Sequence, residues 1–104
     1  MRHLFIVAYD IPDDRRRTKV HRVLSSFGTS LQYSIFACPL APIEQRHLRD
    51  QVWPLLNHAT DRFLLADLGP VDGRGSAALE IWGQEMNPLN PLKSLTTERA
   101  ARII

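Results

Sequence analysis

Three carboxylates and three consecutive arginines crowd the stretch Tyr9-Asp10-Ile11-Pro12-Asp13-Asp14-Arg15-Arg16-Arg17, directly after an apolar run. Acids held on rigid backbone where a chain leaves a sheet suit a hard divalent cation, which takes oxygen ligands. Asp10 is the candidate for that work; it is equally a turn residue whose side chain bonds the backbone two positions on. Asp13 and Asp14 suit the first turn of a following helix, where negative charge meets the positive end of the helix dipole. Arg15, Lys19 and Arg22 recur at i, i+4 and i+7, a cationic stripe that follows a phosphate backbone or simply faces water. Arg16 differs, because it shares a helix face with Val20, Val23 and Phe27. An arginine on an inward stripe must reach a carboxylate, a carbonyl or a phosphate, since burying it unpaired is costly.

A second patch is Gln32-Tyr33-Ser34-Ile35-Phe36. Strict alternation puts Gln32, Ser34 and Phe36 on one side, so Phe36 either stacks on a base or belongs to a core or interface. Other catalytic patterns are missing. His3, His21, His47 and His58 lack zinc-ligand spacing, and Cys38 has no surrounding nucleophile motif. Trp53 and Trp82 read as packing residues.

The elements that must position these groups follow from periodicity. His3 to Tyr9 is a nearly continuous apolar run, expected as a central strand buried on both faces. Val20, Val23, Leu24 and Phe27 predict an amphipathic helix over about 13–27, with Asp13 or Asp14 as N-cap and Gly28 at its end. Leu31 to Phe36 alternates as a second strand, stopped at Pro39. Pro42 opens a second helix whose inner face is Leu48, Val52, Leu55 and Leu56, and Pro54 should kink it or restart its last turn. Arg62 to Leu68 and Ala77 to Trp82 are the third and fourth strands. The glycine-rich Gly69 to Ser76 between them is expected to be a mobile loop without a packed role, and it lacks the spacing of a phosphate-binding P-loop.

These elements predict an α+β, ferredoxin-like βαββαβ domain over residues 1–84, with two helices on one face of a four-stranded antiparallel sheet. Residues 85–104 form a C-terminal arm, extended around Asn87-Pro88 and Asn90-Pro91; Arg99 to Ile104 suits either a short helix or a strand. Because helices cover only one sheet face, the apolar second face of the first strand calls for a partner, most simply a second copy related by a two-fold axis. At 104 residues there is room for one core, and 44% hydrophobic with 23% charged residues excludes a disordered or fibrous chain. The run Leu4 to Tyr9 is too short to span a bilayer, and a single cysteine suits a reducing compartment, so a cytoplasmic location is expected. The first fifty residues carry eight Lys/Arg against five Asp/Glu, so the basic character lies with the candidate site.

Together, Tyr9-Asp10-Ile11 after an apolar strand, Asp13-Asp14-Arg15-Arg16 opening a helix, and Gln32-Tyr33-Ser34-Ile35-Phe36 resemble the CRISPR-associated protein Cas two family, over roughly residues 3 to 68. The resemblance implies a ferredoxin-like homodimer, magnesium-dependent endonuclease activity on RNA or double-stranded DNA, and bridging of the integrase Cas one during spacer acquisition. It makes Asp10 the Mg²⁺ ligand, paired with its symmetry mate, and sets Tyr9, Arg16, Ser34 and Phe36 near that site. It also implies a last strand exchanged onto the neighbouring subunit. Ser30 and Ala37 depart from the family pattern, which often has an arginine and an acid there. Two readings follow. One is a nuclease in which two Asp10 carboxylates share one ion. The other is a non-catalytic adaptor presenting Arg15, Lys19 and Arg22 to a duplex. A generic RNA-binding module ranks last, because paired aromatics on the two central strands are missing.

Overall fold

The computed structural model describes residues 1–83. The order is β1 (His3–Asp10), α1 (Asp14–Ser25), β2 (Thr29–Gln32), β3 (Ile35–Leu40), α2 (Pro42–Val52), a single 3₁₀ turn (Trp53–Leu55), β4 (Arg62–Pro70) and α3 (Arg74–Ala78). The four strands form one antiparallel sheet in the order β2-β3-β1-β4, so the apolar β1 is central, as its composition requires. The βαββαβ succession with this strand order is the ferredoxin-like arrangement.

Alternation along β1 divides the apolar residues between two clusters. Phe5, Val7 and Tyr9 join Phe36, Cys38 and Leu40 of β3 against Val20 and Leu24 of α1 and Leu48 and Val52 of α2. Leu4, with Ala37, faces the other way and meets Ile6, Leu31, Leu68, Val71, Leu79 and Ile81. Capping explains the helix limits. The Asp13 carboxylate accepts the Arg16 N–H at 2.9 Å, satisfying a first-turn donor. At the second helix the Glu44 carboxylate accepts the Ala41 N–H at 2.8 Å while Pro42, which has no N–H to satisfy, occupies the first turn. Pro54, expected to kink the helix or restart its last turn, sits in a separate 3₁₀ turn that follows the end of α2 at Val52.

Three expectations are corrected. Leu31 to Phe36 is not one strand: Tyr33 and Ser34 form a tight turn, with Gln32 opposite Ile35, and residues 29–40 supply two strands. The turn was hidden because it contains no Asn or Gly, the residues that mark two-residue hairpins. With two strands supplied by that hairpin, Ala77 to Trp82 is not needed in the sheet and is not a strand. Ala77 and Ala78 end α3, and the alternation of Leu79 and Ile81 serves instead to lay two side chains on the outer sheet face. Finally, Gly69 to Ser76 is packed. Gly69 and Pro70 end β4, and Gly75 is buried so tightly that a Cβ there would lie 2.3 Å from the Gly69 carbonyl oxygen. The chain thus covers the Leu4 end of the outer face itself. At the opposite end Leu64, which pairs with Ala8, is 60% exposed. The arm assigned to 85–104, including Arg99 to Ile104, lies outside the described residues.

Candidate metal and nucleic-acid site

Asp10 ends β1 opposite Arg62 of β4 and is exposed. The alternation that sends Tyr9 into the helix-covered core sends Asp10 to the outer face, beyond Ala8 and the exposed Leu64. The neighbouring acids are committed. Asp13 caps α1 and stands 3.9 Å from Arg16, and Asp14 is paired with Arg17. Asp10 takes part in none of the ion pairs among the described residues. It is the carboxylate this stretch leaves available to a ligand.

No group of three or more His, Cys, Asp or Glu side chains among the described residues gathers as a metal site. The donor chemistry of Asp10 suits a hard, oxygen-seeking divalent cation such as Mg²⁺. Mg²⁺ is commonly held by only one or two carboxylates and keeps several waters, and an exposed, uncommitted aspartate is such a ligand. A transition metal seeking imidazole or thiolate finds none beside Asp10, and Cys38 is buried on the other face with its thiol pushed up to about 12 by desolvation.

Arg16 does what its inward position demands. Its guanidinium grips Asp61 through two hydrogen bonds, Nε to Oδ2 at 2.8 Å and Nη2 to Oδ1 at 3.0 Å. The Asp61 side chain is completely covered, and Oδ2 also accepts the Asn57 N–H at 2.9 Å. The Arg16 hydrogen bonds hold the Asp61 carboxyl down to about 2. Arg16 therefore ties the start of α1 to the loop that leads into β4, the strand beside Asp10. Its partner is a carboxylate of this chain, not a phosphate.

The other sequence candidates fall into three groups. Tyr9 is buried, donates its backbone N–H to the Ser34 carbonyl at 3.1 Å and lies 3.3 Å from His21 Nδ1 through its hydroxyl. That backbone bond places the half-buried Ser34 at the hairpin turn beside β1. Phe36 is 1% exposed, stacked with Tyr9 at 6.4 Å and meeting the edge of His21 at 5.2 Å between centroids. Its ring belongs to the core and offers no face to a base. Arg15, Lys19 and Arg22 are exposed along α1, free of ion pairs among the described residues. Reasoning from spacing missed Arg17, His21 and Tyr33, which gather around Tyr9. Arg17 and His21 stand at i, i+4 on α1, the one signal available, whereas Tyr33 meets them only because of the unmarked turn.

No helix among the described residues is long and apolar enough to cross a membrane. The family model described as CRISPR associated protein Cas2 matches residues 1–71. The chain belongs to the Cas2 family. It is 39% identical over 72 residues to a CRISPR-associated endoribonuclease Cas2 of Geobacter sulfurreducens, covering 69% of this chain and 76% of that one. A Synechocystis endoribonuclease Cas2 is 33% identical over 81 residues, 78% of this chain and 85% of its own. Among solved structures, a hypothetical protein of Thermus thermophilus superposes with a TM-score of 0.67 at 30% identity, over 86% of this chain and 98% of the other. Streptococcus pyogenes Cas2 shares the fold at a TM-score of 0.66 and 21% identity, over 77% and 99%. The family match ends where β4 does. The α3 segment that covers the Leu4 end of the sheet lies beyond it.

Proposed function

We propose that this Cas2-family chain is an Mg²⁺-dependent endonuclease subunit acting on RNA or double-stranded DNA in CRISPR spacer acquisition, as a homodimer in which two Asp10 side chains share one ion. The reading is carried by the exposed, uncommitted Asp10 at the end of the central strand, next to a sheet face still apolar at Leu64. Its Geobacter and Synechocystis relatives are named endoribonuclease Cas2, which supports nuclease activity on RNA. A second copy set against the Leu64 end of the outer face would cover that patch and bring the acids together at the axis. Two carboxylates so placed repel one another until a cation joins them, so dimer closure and ion binding support each other.

When bound, the ion supplies electrostatic stabilisation of the scissile phosphate and acidification of water. The chain's own residues do the rest. Asp10 holds the ion, and Arg16, locked on Asp61, positions the segments on either side of the β1 end. Arg15, Lys19 and Arg22 attract the phosphate backbone. Tyr9 and Ser34 fix the end of β1 against the hairpin through their backbone hydrogen bond. Phe36 acts from the core by supporting Tyr9.

A second reading, a non-catalytic adaptor bridging the integrase Cas1, is favoured by one observation: the fold recurs in a chain of a partial Cas6-RT-Cas1–Cas2 complex, at a TM-score of 0.54 and 24% identity. Asp10→Ala separates the two. The nuclease reading expects Mg²⁺-dependent cleavage of RNA and duplex DNA to vanish while the protein still assembles with its Cas1. Full cleavage by Asp10→Ala would exclude Asp10 as the catalytic ligand. A wild-type protein that assembles with Cas1 but cleaves neither substrate would establish the adaptor.

A further inference from the structure

On the helix-covered side of the sheet, at the same end of β1 as Asp10, a surface cleft of about 470 Å³ is lined by Tyr9, Arg17, Thr18, His21, Ser30 and Tyr33. Its composition is unusual for a chance depression. Every lining side chain can donate a hydrogen bond, two are tyrosines, one is a permanent cation, one is an imidazole, and none is a carboxylate. Asp14, the nearest acid in this part of α1, is already taken by Arg17. Such a lining repels nothing that an anion with a flat ring presents.

Two further observations point to a nucleotide rather than to a bare anion. Tyr33 is 91% exposed at the tip of the β2–β3 turn, where its large aromatic ring buries little surface against the described residues. Base stacking on an exposed ring of this kind is the standard means by which proteins hold unpaired nucleic acid. His21 is held edge-on against Phe36, and its Nδ1 is engaged by the Tyr9 hydroxyl at 3.3 Å. Arg17 is oriented by the Ile11 carbonyl at 3.0 Å and by Asp14, which uses part of its donor fork and leaves the remainder for a ligand.

The geometry points to a nucleotide subsite in which an unpaired base stacks on Tyr33 while its phosphate is bound by Arg17 and His21. This inference rests on the nuclease reading for its purpose. Tyr9 and Asp10 are consecutive and face opposite sides of one strand end. A single strand passing over that end would present a base to the cleft and a neighbouring phosphodiester to Asp10. A base locked in a duplex is not free to enter without unstacking. Tyr33 and His21 therefore select unpaired substrate at the same site.

The test is binding in EDTA, measured by fluorescence anisotropy with a labelled unstructured RNA octamer and with the same octamer annealed to its complement. Metal-free conditions remove any contribution of the ion at Asp10. Tyr33→Ala should weaken binding of the single strand about 10-fold or more and leave the duplex unchanged, while Tyr33→Phe keeps the stacking ring and binds as wild type. His21→Ala should lose affinity by about 10-fold. Competition by a free 5′-mononucleotide separates a subsite of a polymer from a nucleotide pocket: the octamer should win by orders of magnitude. Tyr33→Ala and His21→Ala variants that bind the single strand as wild type would overturn the subsite, as would a mononucleotide that competes as strongly as the octamer. These results are independent of cleavage. Wild-type binding that needs Tyr33, without any Mg²⁺-dependent cleavage, would overturn the nuclease reading and leave the subsite standing.

Discussion

The position of Phe36 supplies the sharpest separation between a core role and a ligand role. The ring is 1% exposed and packed between Tyr9 and His21, with Val7 of β1 opposite it in register. Removing such a ring costs about 3–5 kcal/mol in lost transfer energy and residual cavity. That is a large part of the stability of a domain this small, commonly about 5–15 kcal/mol. Phe36→Ala should therefore be largely unfolded at 37 °C, which makes it useless for judging nucleic-acid contact. Phe36→Leu is the informative variant. It keeps most of the volume, should lose about 1 kcal/mol, and should lower Tm by about 4–8 °C with an unchanged urea m-value. If Phe36 instead stacked on a base, Phe36→Leu would hardly change Tm but would cost about 1–3 kcal/mol of RNA affinity, roughly 5- to 150-fold. Urea unfolding and RNA anisotropy on the same preparation decide between these. Unchanged stability with lost binding would refute the assignment of Phe36 to the core.

Two other outcomes follow from the charged groups. The Asp61 carboxyl is held down to about 2 by Arg16, below its ordinary 3.8, so its contribution to stability is complete above pH 4 and is lost as pH falls toward 2. Asp61→Asn should lower Tm at neutral pH and flatten the acid limb between about pH 4 and pH 2, in circular-dichroism melts across that range. An acid limb identical to wild type would mean that the pair contributes nothing. Replacing Arg15, Lys19 and Arg22 together by Gln should leave Tm nearly unchanged, because none is in an ion pair among the described residues. The slope of log K for duplex DNA against log salt should fall by up to about 3, one unit for each phosphate that is no longer neutralised. An unchanged slope would remove the stripe from the nucleic-acid surface.

How much of this was legible beforehand depended on how local the cause was. The central strand, an acidic cap at Asp13 or Asp14, Pro42 at the helix start and a break near Pro54 are local consequences of residue type, and all were readable. So was the need of Arg16 for a partner, since an arginine on an apolar helix face permits few solutions. That the partner is Asp61, forty-five residues on, is set by tertiary packing. The hairpin at Tyr33-Ser34 was illegible because it lacks the Asn or Gly that marks a two-residue hairpin, and that single omission displaced the fourth strand onto Ala77 to Trp82. The alternation there was real, yet alternation reports which residues face an apolar surface and not whether the segment hydrogen-bonds into a sheet. Within the site, Asp10 stood out by its place after a buried strand. His21 and Tyr33 could not, since what brings them beside Tyr9 is the same unmarked turn.

The central claim is that Asp10 works as one half of a pair, and mixed dimers test it most directly. Wild-type and Asp10→Asn chains carrying different affinity tags are co-expressed, the mixed species is isolated, and its Mg²⁺-dependent cleavage of RNA is compared with that of each parent. A shared ion predicts a mixed dimer as inactive as Asp10→Asn itself, so that an unsorted equal mixture keeps about one quarter of wild-type activity, the fraction of wild-type pairs under random association. A mixed dimer retaining half the wild-type rate would show that each aspartate acts alone, and would contradict the account.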